Sequence, residues 1–242
     1  MAKKAGLAQK MFVGNFDVSA DIAAVDTWST AVAVLDQTGI DKSAIERVQG
    51  LVTGNCTFTS FFNDASGAAH LAFRAPSTDV GFSWFLGQTV GDQVAMMSAQ
   101  TVNYDPTRGA DGALTFGIEA NTKSSLPVWG VALTAGAITH TSATNGTTLD
   151  QSAQTTAGAE AILHVTSFTG SNFTATVQDS ANGSDWGTLK AFTQVTAVGN
   201  ERVTVSGTVE RYVRVVSTGT FNPVTFAVSF RRGAATDRVT YS

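Results

Sequence analysis

The chain has 242 residues, with 15 Lys and Arg against 19 Asp and Glu, a net charge of −4 and one cysteine. That length buries a sound core as one large β domain or two small ones without disulfides or metals, and the lone Cys56 excludes an internal disulfide. A net-acidic chain also lacks the basic footprint with which proteins grip phosphate backbones, although DNA could still slide past it.

Met1–Leu7 is basic, but no apolar block of signal-peptide length follows, and no apolar stretch is long enough to span a bilayer. The sequence therefore reads as that of a protein made and kept in a cytoplasm-like compartment. In that setting the Asn-x-Ser/Thr sequons at Asn55, Asn145, Asn172 and Asn182 are chance matches in a Thr-rich chain.

The first strand signal begins at Phe12, with a tight turn at Gly14-Asn15, and runs toward Val25. Asp26-Thr27-Trp28 and the apolar run Ala31–Leu35 follow. Asp41 is placed to cap a short helix over Lys42–Val48, with a basic last turn that suits the macrodipole. The segment Asp26–Gly50 is long for a connection between strands, and connections of that length tend to be functional.

Leu51–Phe62 alternates as a strand, placing Val52, Gly54, Cys56 and Phe58 on one face and Thr53, Asn55, Thr57 and Thr59 on the other. Cys56 then reads as a small inward apolar residue. Asp64 is the expected N-cap of the one sizeable helix, about 65–74, which carries Ala68, Ala69, Leu71, Ala72 and Phe73 and is stopped by Pro76. Strands are expected at Gly81–Leu86, Val94–Tyr104, Ala113–Asn121 and Val128–Leu133, with Gly87, Gly91-Asp92, Pro106 and Asp111-Gly112 as turn formers.

From Thr134 to Gly158 the sequence loosens into small and polar residues. It reads as a linker plus the irregular start of a second unit, which divides the chain at 1–141 and 142–242. Strands resume at Ala161–Ser167, continue through Phe173, Ala175 and Val177, and turn at Asn182-Gly183 with positive φ expected at both residues. Glu201–Ser206, Arg211–Ser217 and Thr225–Arg231 complete the second β unit. The fold class is mainly β with one flanking helix.

High-specificity enzyme signatures are missing: there is no phosphate loop, HExxH, CxxC pair or Gly-x-Ser-x-Gly elbow. His70, His140 and His164 are far apart and read as structural or surface residues. Asp179–Asp185 resembles a calcium loop, but Ala181 and Lys190 stand where oxygen ligands are needed, so a plain turn is the better reading. No metal or other cofactor is expected. In Glu210–Val215 the arginines read as cross-strand ion-pair partners, to Glu201 or Glu210, or as contacts to another subunit or a ligand. The four tryptophans read as packing residues ahead of sugar-stacking ones.

Charged residues are 14% of the chain against roughly 25% in ordinary soluble domains, while threonine alone supplies 34 residues. Such faces suit sheets covered by neighbours, since desolvating Thr costs far less than desolvating Lys or Glu. A protease-resistant extracellular β-sandwich is the other reading of the same composition. Residues 1–135 carry 8 basic against 12 acidic side chains, and residues 136–242 carry 7 of each. The net acidity thus belongs to the first part.

Several short words, in this order, resemble the major tail (tail tube) proteins of long non-contractile-tailed bacteriophages, especially those infecting actinobacteria. They are Phe16-Asp17-Val18-Ser19, Asp36–Ala44, Glu46-Arg47, Phe61-Phe62-Asn63, Asn103–Arg108 and Arg211–Val215. The resemblance implies a virion tail component assembled in the host cytoplasm. Its implied fold is a tube-type β-sandwich with a flanking helix over 1–141 and a C-terminal β-sandwich decoration over 142–242. It further implies hexameric rings whose inner sheets form one barrel, stacked into a tube around the tape measure protein. The tube is bounded by tail terminator and distal tail proteins and conducts DNA without binding it specifically. Acidic side chains of 1–135 are expected to face the lumen. Val34, Leu35, Ile40, Asp41 and Ile45 are the expected self-assembly loop reaching the neighbouring ring; folding back on their own domain is the alternative. A capsid-decorating or carbohydrate-binding module is the alternative for the whole chain.

Overall fold

A computed structural model describes residues 6–75, 77–123 and 125–234. The basic Met1–Ala5, the helix stop expected at Pro76 and the last eight residues lie outside the described residues. In chain order, β1 (Lys10–Val13) and β2 (Phe16–Asp17) form a tight hairpin turned by Gly14, whose φ is +58°. The next strands, β3 (Ile22–Asp36) and β4 (Arg47–Phe61), are fifteen residues each and pair antiparallel along their length. Then come α1 (Ala69–Phe73), β5 (Val80–Phe85), β6 (Gln93–Arg108), β7 (Leu114–Thr122) and β8 (Val128–Ala132). The remainder is β9 (Ile138–His140), β10 (Thr144–Asn145), β11 (Leu149–Asp150), β12 (Ala159–Ser180), β13 (Gly187–Ala191), β14 (Gly199–Val205) and β15 (Tyr212–Arg232).

The mainly β expectation holds, and all fifteen strands join one continuous sheet. It folds over itself because β6 changes partners. Residues 94–99 pair with β5 and 93–96 with β8, whereas 99–108 pair with β7, which pairs in turn with β4. Between these layers sits a core of Met11, Val13, Cys56, Phe58, Phe73, Phe82, Met97, Phe116 and Ile118. A second core, including Leu163, Phe173, Val177, Val215, Phe226 and Phe230, fills the space around β12 and β15. Burying one such Phe contributes roughly 2–3 kcal/mol.

A third cluster joins Phe12, Phe85, Val94 and Met96 to Ile162 and Ala227. It explains why β15 is buried on both faces, with Val228 and Phe230 on one side and Ala227 and Ser229 on the other. The 141/142 boundary read from the sequence falls between β9 and β10, and both of those strands pair with β15. The loosened stretch after Thr134 is therefore ordered by three short strands along β15, and Thr134 itself is buried, accepting from the Val228 amide at 2.9 Å.

Several local expectations are corrected. Lys42–Val48 is no helix: residues 37–46 turn the chain, and β4 begins with Arg47 opposite Asp36 and Val48 opposite Leu35. Seven residues are too few to nucleate a helix unaided, while cross-strand pairing rewards Val32, Val34, Val48 and Val52 at once. The helix before Pro76 shrinks to Ala69–Phe73, and Asp64 does not cap it. Its first amide donates instead to Asp21 Oδ2 at 3.0 Å, from a carboxylate 48 residues away that also accepts from Asn63 at 2.8 Å.

Pro106 is no turn former. It lies inside β6, opposite Phe116, on the stretch that pairs with β7 alone, where a missing N–H is tolerated. Arg211–Ser217 and Thr225–Arg231 are one strand, β15, which runs antiparallel to β12 through bulges near Gly170. At Gly219, φ +124°, an added Cβ would sit 2.5 Å from the Asn172 carbonyl oxygen, so only glycine lets the strands approach there. Only Gly183 of the Asn182-Gly183 pair has positive φ, because Asn182 Oδ1 accepts the amides of Ser184 and Asp185 and organises a wider loop.

Candidate assembly surface

Strands β3, β4, β7 and β6 form a four-stranded antiparallel sheet. Its core-facing side is set by alternation: Gly54, Cys56, Phe58 and Ser60 on β4, and Phe116, Ile118 and Ala120 on β7, are inward. The other side is threonine, asparagine and serine. Thr57 stands opposite Thr27 and Glu119, and Asn55 opposite Ser29 and Asn121. The strand residues of this face carry three carboxylates, Asp26, Asp105 and Glu119, and neither lysine nor arginine.

Each carboxylate is held by neutral donors. Asn121 Nδ2 donates to Glu119 at 3.3 Å, Asn103 Nδ2 to Asp105 at 3.1 Å, and Thr59 Oγ1 to Asp26 at 3.3 Å. The face therefore presents fixed negative charge with no internal cation to cancel it.

Both lateral edges of this sheet are unpaired among the described residues. On one side β3 meets only β4; on the other, residues 101–108 of β6 meet only β7. Fifteen residues of β3 carry just two charged groups, Asp26 and Asp36, both acidic. A long, weakly charged edge is a template for pairing with another chain, and neither lysine nor proline blocks β3.

Beyond the body of the sheet, the β3–β4 pair continues as a free ribbon in which every residue from 33 to 49 is exposed. The expected self-assembly residues stand on it. Val34 and Leu35 are 59% and 51% exposed on β3, while Ile40, Asp41 and Ile45 occupy the exposed turn. All five are exposed. Sequence reasoning missed Val48 and Leu51, which lie on the same strand pair; with Val34, Leu35, Ile40 and Ile45 they are six of the thirteen exposed large apolar residues among the described residues. The expected helix had concealed Val48. An isolated two-stranded ribbon is marginal in water, so this one calls for a partner surface.

Elsewhere the histidines stay apart. His70 meets Tyr104 Oη at 3.1 Å, His140 meets Ser217 Oγ at 2.8 Å, and His164 is fully buried between β1, β5 and β12. Arg211 pairs with Asp150, with its Nε 2.8 Å from Oδ1 and Nη2 2.6 Å from Oδ2, rather than with Glu201 or Glu210. That bond lowers the Asp150 carboxyl to about 2. Arg214 lies over the Trp186 ring at 4.1 Å. Trp28 and Trp84 are brought within 6.3 Å, and Trp129 is half exposed. Among the described residues no group of three His, Cys, Asp or Glu could hold a metal, and no helix is long and apolar enough to cross a membrane.

No protein-family model matches the sequence, and no curated protein matches it. Among solved structures, phage SPP1 Dit, described as a paradigm of the hub adsorption apparatus in phages infecting Gram-positive bacteria, is similar at a TM-score of 0.34. The identity is 10%, over 94% of this chain and 100% of that one.

Proposed function

We propose that this chain is a structural subunit that closes edge to edge with its own copies into a ring around a channel, the rings stacking as a phage tail tube. The observation that carries the reading is the four-stranded sheet with two free edges. Within one chain β3 runs antiparallel to β6, because three antiparallel pairings separate them. Copies related by rotation about an axis along the strands thus bring β6 of one beside β3 of the next, antiparallel and ready to hydrogen-bond. Such head-to-tail interfaces close into rings.

In that ring the threonine-rich face with Asp26, Asp105 and Glu119 lines the channel, and the core, α1 and the β12–β15 sandwich lie outside it. Carboxylates without cations repel phosphate, so DNA would pass without adhering. The exposed ribbon projects along the axis toward the next ring. A hexameric ring, a tape measure protein threaded through it, terminator and distal tail partners, and location in the virion tail follow from the sequence resemblance and belong to this proposal. So does assignment of 142–242 as an outer decoration.

Size-exclusion chromatography and negative-stain microscopy of the concentrated full chain test the reading. Rings or hollow filaments are expected; a monomer that stays dispersed would refute it. A carbohydrate-binding module is the second reading, and the observation favouring it is the exposed Trp129 beside Gln93, Gln151 and Arg232 in a cleft of about 320 Å³. A glycan array probed with the full chain separates the two.

A further inference from the structure

The cleft beside Trp129 is built from three strands and one turn, and its chemistry follows from what each brings to a common face. On β8, Trp129 and Val131 point the same way, and Gln93 of β6 stands opposite Val131. β15 pairs Phe230 with Val131, so Arg232 shares the Phe230 side and comes level with Trp129. Gln151, just past β11, closes the cleft, whose volume is about 320 Å³. That is the small end of ligand clefts, roughly 300–1,000 Å³, and suits one or two sugar rings.

The walls supply donors and no acid. Arg231 and Arg232 line the cleft, and no carboxylate does. Arg231 stands opposite the buried Glu160 in the β12–β15 ladder. Arg232 has no such counterion: its fork donates to the backbone carbonyls of Ala153 and, at 3.0 Å, Gln151, and burial pushes its guanidinium down. The other N–H groups of that fork have no acceptor among the described residues. The nearby acids are engaged elsewhere, Asp92 with the Thr89 amide at 2.9 Å and Asp150 with Arg211. Gln151 Nε2 is buried without an acceptor, an uncommon state for a polar atom inside a protein. An exposed indole, a spare guanidinium and an unanswered amide thus meet in one small cleft.

We propose that this cleft binds a sugar carrying a carboxylate. The inference goes beyond the assembly reading; it rests on the carbohydrate reading of the cleft and names the chemistry of the ligand. Trp129 offers a flat apolar surface to the C–H face of a pyranose ring, as amphipathic aromatic side chains do. Arg232 takes the carboxylate in a planar, two-pronged contact, while Gln93 and Gln151 donate to hydroxyl oxygens. A neutral sugar leaves the Arg232 cation unanswered. A phosphate carries nearly two charges at neutral pH and asks for a second free cation, which the cleft lacks.

The test is saturation-transfer NMR of the full chain at pH 7 with millimolar glucuronate, its neutral isostere glucuronamide and glucose 6-phosphate, repeated on Trp129→Ala and Arg232→Gln. Glucuronate is expected to bind about tenfold more tightly than glucuronamide, to be lost in Trp129→Ala, and to lose its advantage over the amide in Arg232→Gln. Trp129 is 52% exposed, so its removal leaves the core intact even where Arg232→Gln loosens the turn at Gln151. Equal binding of glucuronate and glucuronamide, or tighter binding of the phosphate, overturns the carboxylate assignment and leaves the carbohydrate reading standing. Binding unchanged by Trp129→Ala places the ligand outside this cleft and overturns the site. Failure of all three sugars to bind overturns both.

Discussion

His164 Nε2 lies 2.8 Å from Ser83 Oγ, while its Nδ1 lies 2.7 Å from the Gly14 carbonyl oxygen. A carbonyl only accepts, so Nδ1 carries a proton; burial keeps the ring neutral near pH 7, so Ser83 donates to Nε2. Ser83 in turn is 2.9 Å from Ser229 Oγ. One buried chain of hydrogen bonds thus ties the first hairpin and β5 to β12 and β15.

This arrangement predicts acid sensitivity. Burial pushes the His164 imidazole down from 6.5 to about 4. The unfolded chain therefore takes up a proton between those values and the native chain does not, so stability is full above pH 6.5 and falls as pH drops toward 4. The loss amounts to about 3 kcal/mol for this group, with a same-signed contribution from half-buried His140, also lowered by burial. Urea unfolding midpoints should fall between pH 7 and pH 4.5. In His164→Gln the slope should flatten, and an unchanged slope would contradict the assignment.

Cys56 should be chemically silent in the folded chain. It is fully buried opposite Ala120, and burial drives its thiol pKa well above the usual range. Iodoacetamide at pH 8 is expected to leave the native protein unlabelled and to modify one thiol per chain once denaturant is added.

Gly54 is a tight position in the sheet. A Cβ there would lie 2.1 Å from Pro127 Cδ and 3.2 Å from a Thr122 methyl, and the Gly54 amide already donates to Thr122 Oγ1 at 3.1 Å. Because Pro127 is a rigid ring whose carbonyl also accepts from Thr30 at 3.1 Å, it cannot swing aside. Gly54→Ala should cost about 2–4 kcal/mol, read as a lowered unfolding midpoint. A loss below 0.5 kcal/mol, roughly the range of ordinary surface changes, would show that the contact relaxes freely.

The alternation of Leu51–Phe62 was legible in the sequence because one face is apolar and the other polar: Cys56 and Phe58 share the side that the structure buries. What escaped was long-range. Asp21 caps α1 from 48 residues away and Asp150 holds Arg211 from 61 residues away, and no local pattern announces either. The ribbon was mistaken for a helix because Asp41 and the charges after it fit a cap and a dipole, while the pairing of Asp36 with Arg47 shows only in three dimensions. β15 was cut in two by Gly219, Asn222 and Pro223, which punctuate strands elsewhere but here allow two long strands to bend together.

The channel-lining assignment predicts a change of behaviour toward DNA. Replacing Glu119 and Asp105 by lysine alters that face by four charge units per copy without touching the core. Assembled double-variant protein is expected to retain linear DNA on a filter at low salt and release it above about 0.2 M, where counterion effects weaken phosphate binding. The unmodified assembly should retain none. Equal retention by both would place these carboxylates away from the channel.

Hydrogen–deuterium exchange, compared between dispersed and assembled protein, tests the proposed edge pairing most directly. If β3 of one copy joins β6 of the next, amides in 22–36 and 101–108 gain protection together on assembly, while the already paired 55–61 and 115–121 change little. Assembled material in which those two edges exchange as fast as in the dispersed chain would contradict the account.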